Sequence, residues 1–251
     1  MDEVRRPPVP WVIRSLFFVV AAALYLPLLH LVVSSVHSAD GWSFQWYIKV
    51  LRNDFWMDAL GLSLFLGVTS ATISTILGGA AALGFRFSPS PAVSSFSLMT
   101  FLMPELVFAL ALLSWFASLT FSLGFLSLLV AHVTFSLSYT FFICRSRLEK
   151  LEPWIEEASL DLGATPLQTI WRIHLPILAP TLIASFLIGF LLSFDDFLIS
   201  YFVSGAGFDT LPMKLFFSMK AGFTPELNAL AALMAGISAL AVYMVTRILH
   251  D

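Results

Sequence analysis

Long stretches without a single charged side chain recur along this chain of 251 residues. A helix needs roughly 20 mostly apolar residues to cross the hydrocarbon core of a bilayer, which is about 30 Å thick. The longest uncharged stretch, residues 106–144, would extend about 58 Å as a single helix, so it must turn and supply two spans. Four other stretches are each close to the length of one span: residues 15–35, 59–85, 177–194 and 227–246.

These stretches predict an all-α integral membrane protein that forms one transmembrane domain, residues 1–251. Only 12% of the residues are charged, which is about half the share found in a soluble domain. The longest stretch is expected to turn near Thr120–Gly124. The single cysteine, Cys144, excludes a disulfide within the chain. Six transmembrane helices are therefore predicted, over residues 12–35, 59–84, 92–118, 124–144, 177–203 and 227–248.

The positive charges of the connecting segments predict the orientation of these spans. Lys and Arg concentrate in cytoplasmic loops. With the N-terminus inside, nine of them are cytoplasmic and four lie on the opposite side. Both termini and the 145–176 loop are therefore expected in the cytoplasm, with the first span retained because its apolar core is too long for a signal peptide. The nine are Arg5, Arg6, Arg14, Arg86, Arg145, Arg147, Lys150, Arg172 and Arg247, and the four are Lys49, Arg52, Lys214 and Lys220.

The segment 36–58, expected on the outer side, is rich in aromatic residues. Trp and Tyr settle at the level of the lipid headgroups, so we predict a short interfacial helix around Phe44–Leu51. Most of these rings are expected to anchor the chain in the membrane. Trp46 is also a candidate for the entrance of a substrate pathway.

The longest polar island, residues 156–176, has the features of two short helices joined at a glycine. Pro153 suits the first turn of one helix, and Gly163 suits the position just after its end. Thr165, Pro166 and Gln168 then form the N-cap, first-turn proline and capping box of a second helix. Such a helical elbow at a membrane surface is a shape that fits a groove in a partner protein.

Three carboxylates occur inside predicted spans: Glu105 in the third, and Asp195 and Asp196 in the outer half of the fifth. An ionised carboxylate there costs at least about 2.5–3.5 kcal/mol, and such residues usually face a water-filled cavity or the interior of the bundle. Consecutive helical residues point about 100° apart, so one aspartate is expected to line a pathway and the other to contact a neighbouring helix or subunit. The counterion would come from a partner chain, solvent or a cationic substrate, unless the carboxyl groups are protonated.

The polar island resembles the E-A-A-x3-G-x9-I-x-L-P loop of bacterial ABC-importer permeases. Ser159 departs from that pattern, replacing the second alanine with another small residue. In that family the loop docks on a cytoplasmic ATPase, so the resemblance implies a type I ABC importer permease fold and a coupling role for the matching residues. These residues are Glu157, Ala158, Gly163, Ile173, Leu175 and Pro176.

Four further segments, 103–107, 193–197, 201–205 and 224–231, resemble the permeases that import spermidine and putrescine, most closely the second permease of that heterodimer. Glu105 matches the family's acidic residue after the third-span proline. Ser193, Asp195 and Asp196 match its S-x-D-D run. The resemblance, together with the suitability of aromatic faces for cation–π contact, implies a substrate pathway formed by Glu105, Ser193, Asp195, Asp196, Trp46, Phe197 and Tyr201, with Phe194 and Trp115 as further aromatic candidates.

The same resemblance implies a multi-pass subunit in the bacterial inner membrane and a set of partners. These are a sister permease, two ATPase subunits and an extracytoplasmic polyamine-binding protein. The chain has no phosphate-binding loop of the G-x-x-x-x-G-K-[ST] type, so ATP and Mg²⁺ are expected on the partner ATPase and no cofactor on this chain. Nucleic acid is not an expected partner, because no basic tract is present.

Three other interpretations remain open at this stage. A related importer could carry an amino acid, thiamine, ferric ion or phosphonate, although anionic substrates would call for Arg or Lys where Glu105 and Asp195 stand. A membrane enzyme is disfavoured because the five histidines are scattered, with no metal-binding spacing. An autonomous channel or carrier has no use for an ATPase-docking loop. The sequence does not rank putrescine against spermidine.

Overall fold

A computed structural model describes residues 11–38 and 41–250, and these residues are almost entirely helical. Arg5 and Arg6, on which the charge count partly depends, lie outside the described residues. A pair of two-residue antiparallel strands, β1 (His37–Ser38) and β2 (Gly41–Trp42), follows the first helix. The helices are α1 Trp11–Ser35, α2 Gln45–Leu51, α3 Asp54–Phe87, α4 Pro91–Leu102, α5 Glu105–Ser118, α6 Phe125–Glu149, α7 Pro153–Asp161, α8 Pro166–Thr169, α9 Leu175–Phe194, α10 Leu198–Val203, α11 Leu211–Ala221 and α12 Pro225–His250.

Five helical segments of the described residues are long and apolar enough to cross a membrane, and α4 with α5 makes a sixth if this bent pair counts as one span. The five are α1, α3, α6, α12 and the continuous segment Pro166–Phe194. Each predicted span overlaps one of these helices, and residues 119–124 separate α5 from α6 where the turn was predicted. The short helix predicted around Phe44–Leu51 is α2.

The third predicted span is broken, since α4 and α5 meet at an angle of 113°. Met103 and Pro104 are extended, with ψ of 132° and 131°. A proline ring disfavours the helical conformation in the residue before it, and proline lacks an N–H to continue the helix. The helix therefore ends at Leu102 and restarts at Glu105, which begins α5.

The prediction that residues 177–203 form one helix is wrong. Helix α9 ends at Phe194, and α10 begins at Leu198, so the two aspartates lie in the break. The Asp196 carboxylate accepts hydrogen bonds from the backbone N–H groups of Ile199 and Ser200, at 3.1 and 2.8 Å. The carboxylate thus takes the place of the backbone carbonyl groups that would accept from these N–H groups in a continuous helix. For this reason Asp is favoured at helix starts and not in helix interiors.

Helices α3, α6 and α9 pack against one another and form the centre of the molecule. Small residues allow the close approach of α3 and α6, as is usual between membrane helices. A methyl group added at Gly78 would lie 2.8 Å from Thr140 and 2.9 Å from the carbonyl oxygen of Leu137. Helix α1 packs mainly against α12 and exposes apolar side chains on most of its surface.

Substitution of Gly205 by alanine should strongly destabilise the protein. Gly205 has φ +70°, and an added Cβ would lie 2.5 Å from the carbonyl oxygen of Leu123. The strained backbone and the clash should together lower the free energy of unfolding by about 3 kcal/mol. Thermal unfolding of the purified chain in detergent measures the effect.

Gly207→Ala is the matched control for this substitution. Gly207 has φ +85°, but nothing lies within 4 Å of its added Cβ, so only the backbone strain remains, at about 1 kcal/mol. Equal melting temperatures for the two variants would contradict the close contact between Gly205 and Leu123.

Candidate functional site

A groove of about 490 Å³ lies at the two helix breaks and brings together the three carboxylates singled out in the sequence. Glu105 enters it from the start of α5, and Asp195 and Asp196 enter it from the break between α9 and α10. Side chains from α6 and α9 complete its walls. The lining consists of Glu105, Asp195 and Asp196 with Phe135, Tyr139, Leu191, Leu192, Phe197 and Leu198.

The two neighbouring aspartates have different environments. Asp196 is 6% exposed and, besides its two backbone bonds, accepts a hydrogen bond from the Ser200 hydroxyl at 2.8 Å. His132 of α6 lies 3.6 Å from the same carboxylate and 3.2 Å from Ser200. The hydrogen-bonding capacity of Asp196 is therefore largely used to fix the start of α10.

Asp195 is exposed, and its carboxylate accepts hydrogen bonds only from the hydroxyl of Ser238, at 2.9 and 3.1 Å, among the described residues. Ser238 lies on α12, so this contact ties the break to the last helix. A hydroxyl carries no net charge, so no positive group among the described residues is paired with the Asp195 carboxylate. Asp195 is therefore the aspartate that is available to a cation entering the groove.

Phe197 lines the groove beside the carboxylates and belongs to a cluster of aromatic rings. The ring of Phe197 lies 4.4 Å from that of Phe216 and 5.5 Å from that of Tyr201, measured between centroids. Tyr201, a predicted pathway residue, is 46% exposed and lies 6.0 Å from Phe217 of α11, but it is not among the lining residues of the groove. Exposed aromatic faces beside carboxylates are the surroundings that favour a cation with an aliphatic chain.

Other sequence candidates lie outside this groove. Trp46 donates a hydrogen bond to the carbonyl oxygen of His37 at 3.2 Å and is not among the lining residues. Ser193 and Phe194 are buried in α9, and the Ser193 hydroxyl has no hydrogen-bond partner among the described residues. Trp115 is exposed on α5 and is not a lining residue.

Three residues of this site were not predicted from the sequence: His132, Ser200 and Ser238. They contact the aspartates from α6, α10 and α12, and only the fold brings the first and last of them there. Ser200 stands four residues after Asp196, a spacing that offered a local signal.

The polar island forms the predicted elbow, whose two arms are α7 and α8. Helix α7 begins at Pro153, and Gly163 follows its end with φ +81°. Thr165 caps α8, and its hydroxyl and backbone exchange hydrogen bonds with Gln168 in a capping box. A buried hydrogen bond of 2.9 Å between Ser159 and Thr169 joins the two arms.

The outer face of the elbow is exposed and partly apolar. Glu157, Ala158 and Gly163 are exposed, and Leu162 and Trp171 are 88% and 65% exposed. Exposed apolar side chains of this size beside a charged residue are typical of a protein interaction surface. The other matching residues, Ile173, Leu175 and Pro176, lie where a π-helical turn, Ile170–His174, leads into α9.

Glu156, next to Glu157, points inward instead. Its Oε1 accepts hydrogen bonds from Arg86 Nε at 2.8 Å and His174 Nε2 at 3.0 Å. Partial burial alone would raise the pKa of Glu156, but these hydrogen bonds and the neighbouring positive charge hold the pKa below its ordinary value of 4.5. The resulting stabilisation is fully present above that ordinary value and is lost as the pH falls through the lowered pKa.

Known proteins resemble this chain in sequence over most of its length. The putrescine transport system permease protein PotI of Escherichia coli K12 is 40% identical over 89% of this chain and 87% of its own. The spermidine/putrescine permease PotC of Haemophilus influenzae is 38% identical over 90% and 91% of the two chains. PotC of Escherichia coli K12 is 35% identical over 92% and 90%.

Solved structures share the fold. A bacterial ABC transporter that imports alginate has a TM-score of 0.72 at 14% identity, covering 96% of this chain and 94% of its own. The inward-facing methionine ABC transporter MetNI has a TM-score of 0.65 at 16% identity, covering 77% and 94%. These likenesses establish the permease fold of ABC importers.

The family model of the binding-protein-dependent transport system inner membrane component matches residues 74–251. This range includes the groove carboxylates and the whole elbow. The PotI and PotC permeases match 89% and 90% of the chain. The chain therefore belongs to the family of inner-membrane permease components of binding-protein-dependent transport systems.

Proposed function

We propose that this permease subunit imports polyamines, spermidine or putrescine, as half of an ATP-driven translocation pathway. The observation that carries the proposal is the exposed Asp195 carboxylate in a groove that also holds Glu105 and the rings of Phe197 and Tyr139. Polyamines are aliphatic chains with ammonium groups along their length. Carboxylates match the ammonium groups, and aromatic faces match both the methylene chain and the charge.

The names of the curated relatives support this substrate class, since each transports putrescine or spermidine. The charge of the groove supports it as well. Its lining includes three acidic and no basic side chains among the described residues. An anionic substrate would require the opposite sign, so a permease for phosphonate is the weaker alternative.

The elbow is the proposed contact with a cytoplasmic ATPase. Its outward Glu157 and exposed Leu162 and Trp171 offer charge and apolar area to a partner. This assignment agrees with the excess of Lys and Arg that favours the cytoplasm for the elbow and both termini. ATP and Mg²⁺ would be bound by that partner, and this chain would hold no cofactor.

The remaining partners follow from the same proposal. The groove is partly open rather than enclosed by this chain, which supports a pathway completed by a sister permease in a heterodimer. Two ATPase subunits and an extracytoplasmic binding protein would complete the transporter. Closure of the ATPases would then move the two permeases against each other and expose the groove to each side of the membrane in turn.

The substrate class is tested by ATP hydrolysis in the reconstituted complex of this chain, its sister permease, the ATPase and the binding protein. The panel contains putrescine, spermidine, neutral amino acids and phosphonate at equal concentrations. We expect stimulation by the two polyamines alone. Stimulation by another solute, with none by polyamines, would reject polyamines as the substrate but leave the role as an importer subunit intact.

A further inference from the structure

Arg86, Glu156 and His174 form a clamp that joins the elbow to the helices of the membrane domain. Arg86 is the penultimate residue of α3, Glu156 lies on α7, and His174 ends the π-helical turn that leads into α9. Both partners bind the same oxygen of Glu156, at 2.8 and 3.0 Å. One carboxylate therefore connects three separate parts of the chain.

The clamp extends to a fourth element through Arg86. The two terminal nitrogens of its guanidinium donate to the carbonyl oxygens of Leu148 and Leu151, each at 3.3 Å. Leu148 lies in the last turn of α6, and Leu151 lies just beyond that helix. The Leu148 carbonyl oxygen also accepts from the backbone N–H of Leu151 at 3.0 Å, so Arg86 adds a side-chain donor at the end of α6 while it holds Glu156.

His174 is fully buried, and its ring lies 5.4 Å from that of Phe87 in an edge-to-face arrangement. Its Nε2 donates to Glu156, while Nδ1 has no hydrogen-bond partner among the described residues. The hydrogen bond to Glu156 is thus the polar contact that fixes the orientation of this ring. The π-helical turn that ends at His174 is a type of irregularity that often marks functional positions.

The clamp stands at one end of α9, and the groove stands at the other. Helix α9 runs from Leu175 to Phe194, which is about 30 Å at the helical rise, and Asp195 follows its last residue. A displacement of the elbow therefore reaches α9 directly, and through Arg86 it reaches the ends of α3 and α6.

We propose that Arg86, Glu156 and His174 are positioning residues that transmit movement of the docked elbow to the groove. The proposal rests on the proposed function, because it presupposes an ATPase on the elbow. The two neighbouring carboxylates then have different roles: Glu157 faces the ATPase, and Glu156 holds the elbow to the transporter's own helices. Loss of the clamp should leave the docking surface intact and uncouple ATP hydrolysis from transport.

The test compares Glu156→Ala with the parent in proteoliposomes that contain the complete transporter. We expect the ATPase to co-purify in the parental amount and the substrate imported per ATP hydrolysed to fall about tenfold, within the usual range of allosteric coupling. Glu156→Gln should recover part of this ratio, because its side-chain oxygen can accept the same two hydrogen bonds. Glu152→Ala is the matched control, since it removes an exposed carboxylate that makes no capping hydrogen bond at the start of the same helix.

A parental ratio of import to hydrolysis in an assembled Glu156→Ala complex would overturn the proposal, even if its melting temperature fell, because a static brace predicts that result. If Glu156→Ala does not assemble, His174→Ala removes one link of the clamp and carries the same comparison. An inactive parent would instead count against the proposed function. A result against the clamp therefore counts only when the parent complex is active in the same assay.

Discussion

Asp195→Asn should reduce polyamine uptake by about 10- to 100-fold, which corresponds to the loss of a hydrogen bond to a charged group. Asp195 is exposed in the groove, and its only hydrogen-bond donor among the described residues is the neutral hydroxyl of Ser238. Asparagine has the same shape and can still accept from Ser238, so the fold should be retained. Uptake of labelled putrescine and spermidine, normalised to the amount of inserted permease, measures the effect.

Asp196→Asn is the matched control, one residue away. Asparagine is about as good as aspartate at a helix start, so it can still accept from the backbone of α10. We expect uptake to change by less than about threefold, the effect of a lost charge whose hydrogen bonds are partly retained. Parental uptake in Asp195→Asn, or an equal loss in both variants, would contradict the distinction drawn between the two aspartates.

Glu157→Lys should prevent productive docking of the ATPase and reduce uptake by about 30-fold or more, since reversing a charge within an interface costs several kcal/mol. Glu157 is exposed and makes no hydrogen bond or ion pair within the described part of the chain. Membrane insertion and the melting temperature of the isolated permease should therefore be unchanged. Co-purification of the ATPase and ATP-dependent uptake are the two measurements.

Glu152→Lys makes the same change of charge at an exposed carboxylate at the start of α7. It should retain both ATPase association and uptake. Parental transport with intact ATPase coupling in Glu157→Lys would reject the role given to this residue. Equal loss in both variants would indicate a general effect of charge rather than a specific contact.

The elbow was accessible to sequence analysis because its geometry depends on neighbours in the chain. Pro153 starts α7, Gly163 adopts the positive φ that ends it, and Thr165 exchanges hydrogen bonds with Gln168. Each of these preferences belongs to the residue type and its immediate surroundings. The long helices were accessible for a similar reason, because the length of an uncharged stretch is set by the thickness of the bilayer.

The break after Phe194 could not be predicted from local sequence preferences. An apolar run containing two aspartates fits a continuous helix as well as a broken one. The break is stabilised by His132 and Ser238, which stand far from the aspartates in the sequence and meet them only in the folded chain. The roles of Glu156 and Glu157 could not be separated either, because identical neighbours differ only in direction, by about 100° around the helix.

The central claim, that this permease carries polyamines through the groove at Asp195, is tested most directly by uptake into proteoliposomes. The complete transporter is reconstituted with ATP on the elbow side, and labelled spermidine or putrescine is supplied with the binding protein on the other side. We expect ATP-dependent accumulation of polyamine that falls about 10- to 100-fold in Asp195→Asn and is retained in Asp196→Asn. Absence of polyamine accumulation in a parent complex that hydrolyses ATP in response to another solute would contradict it.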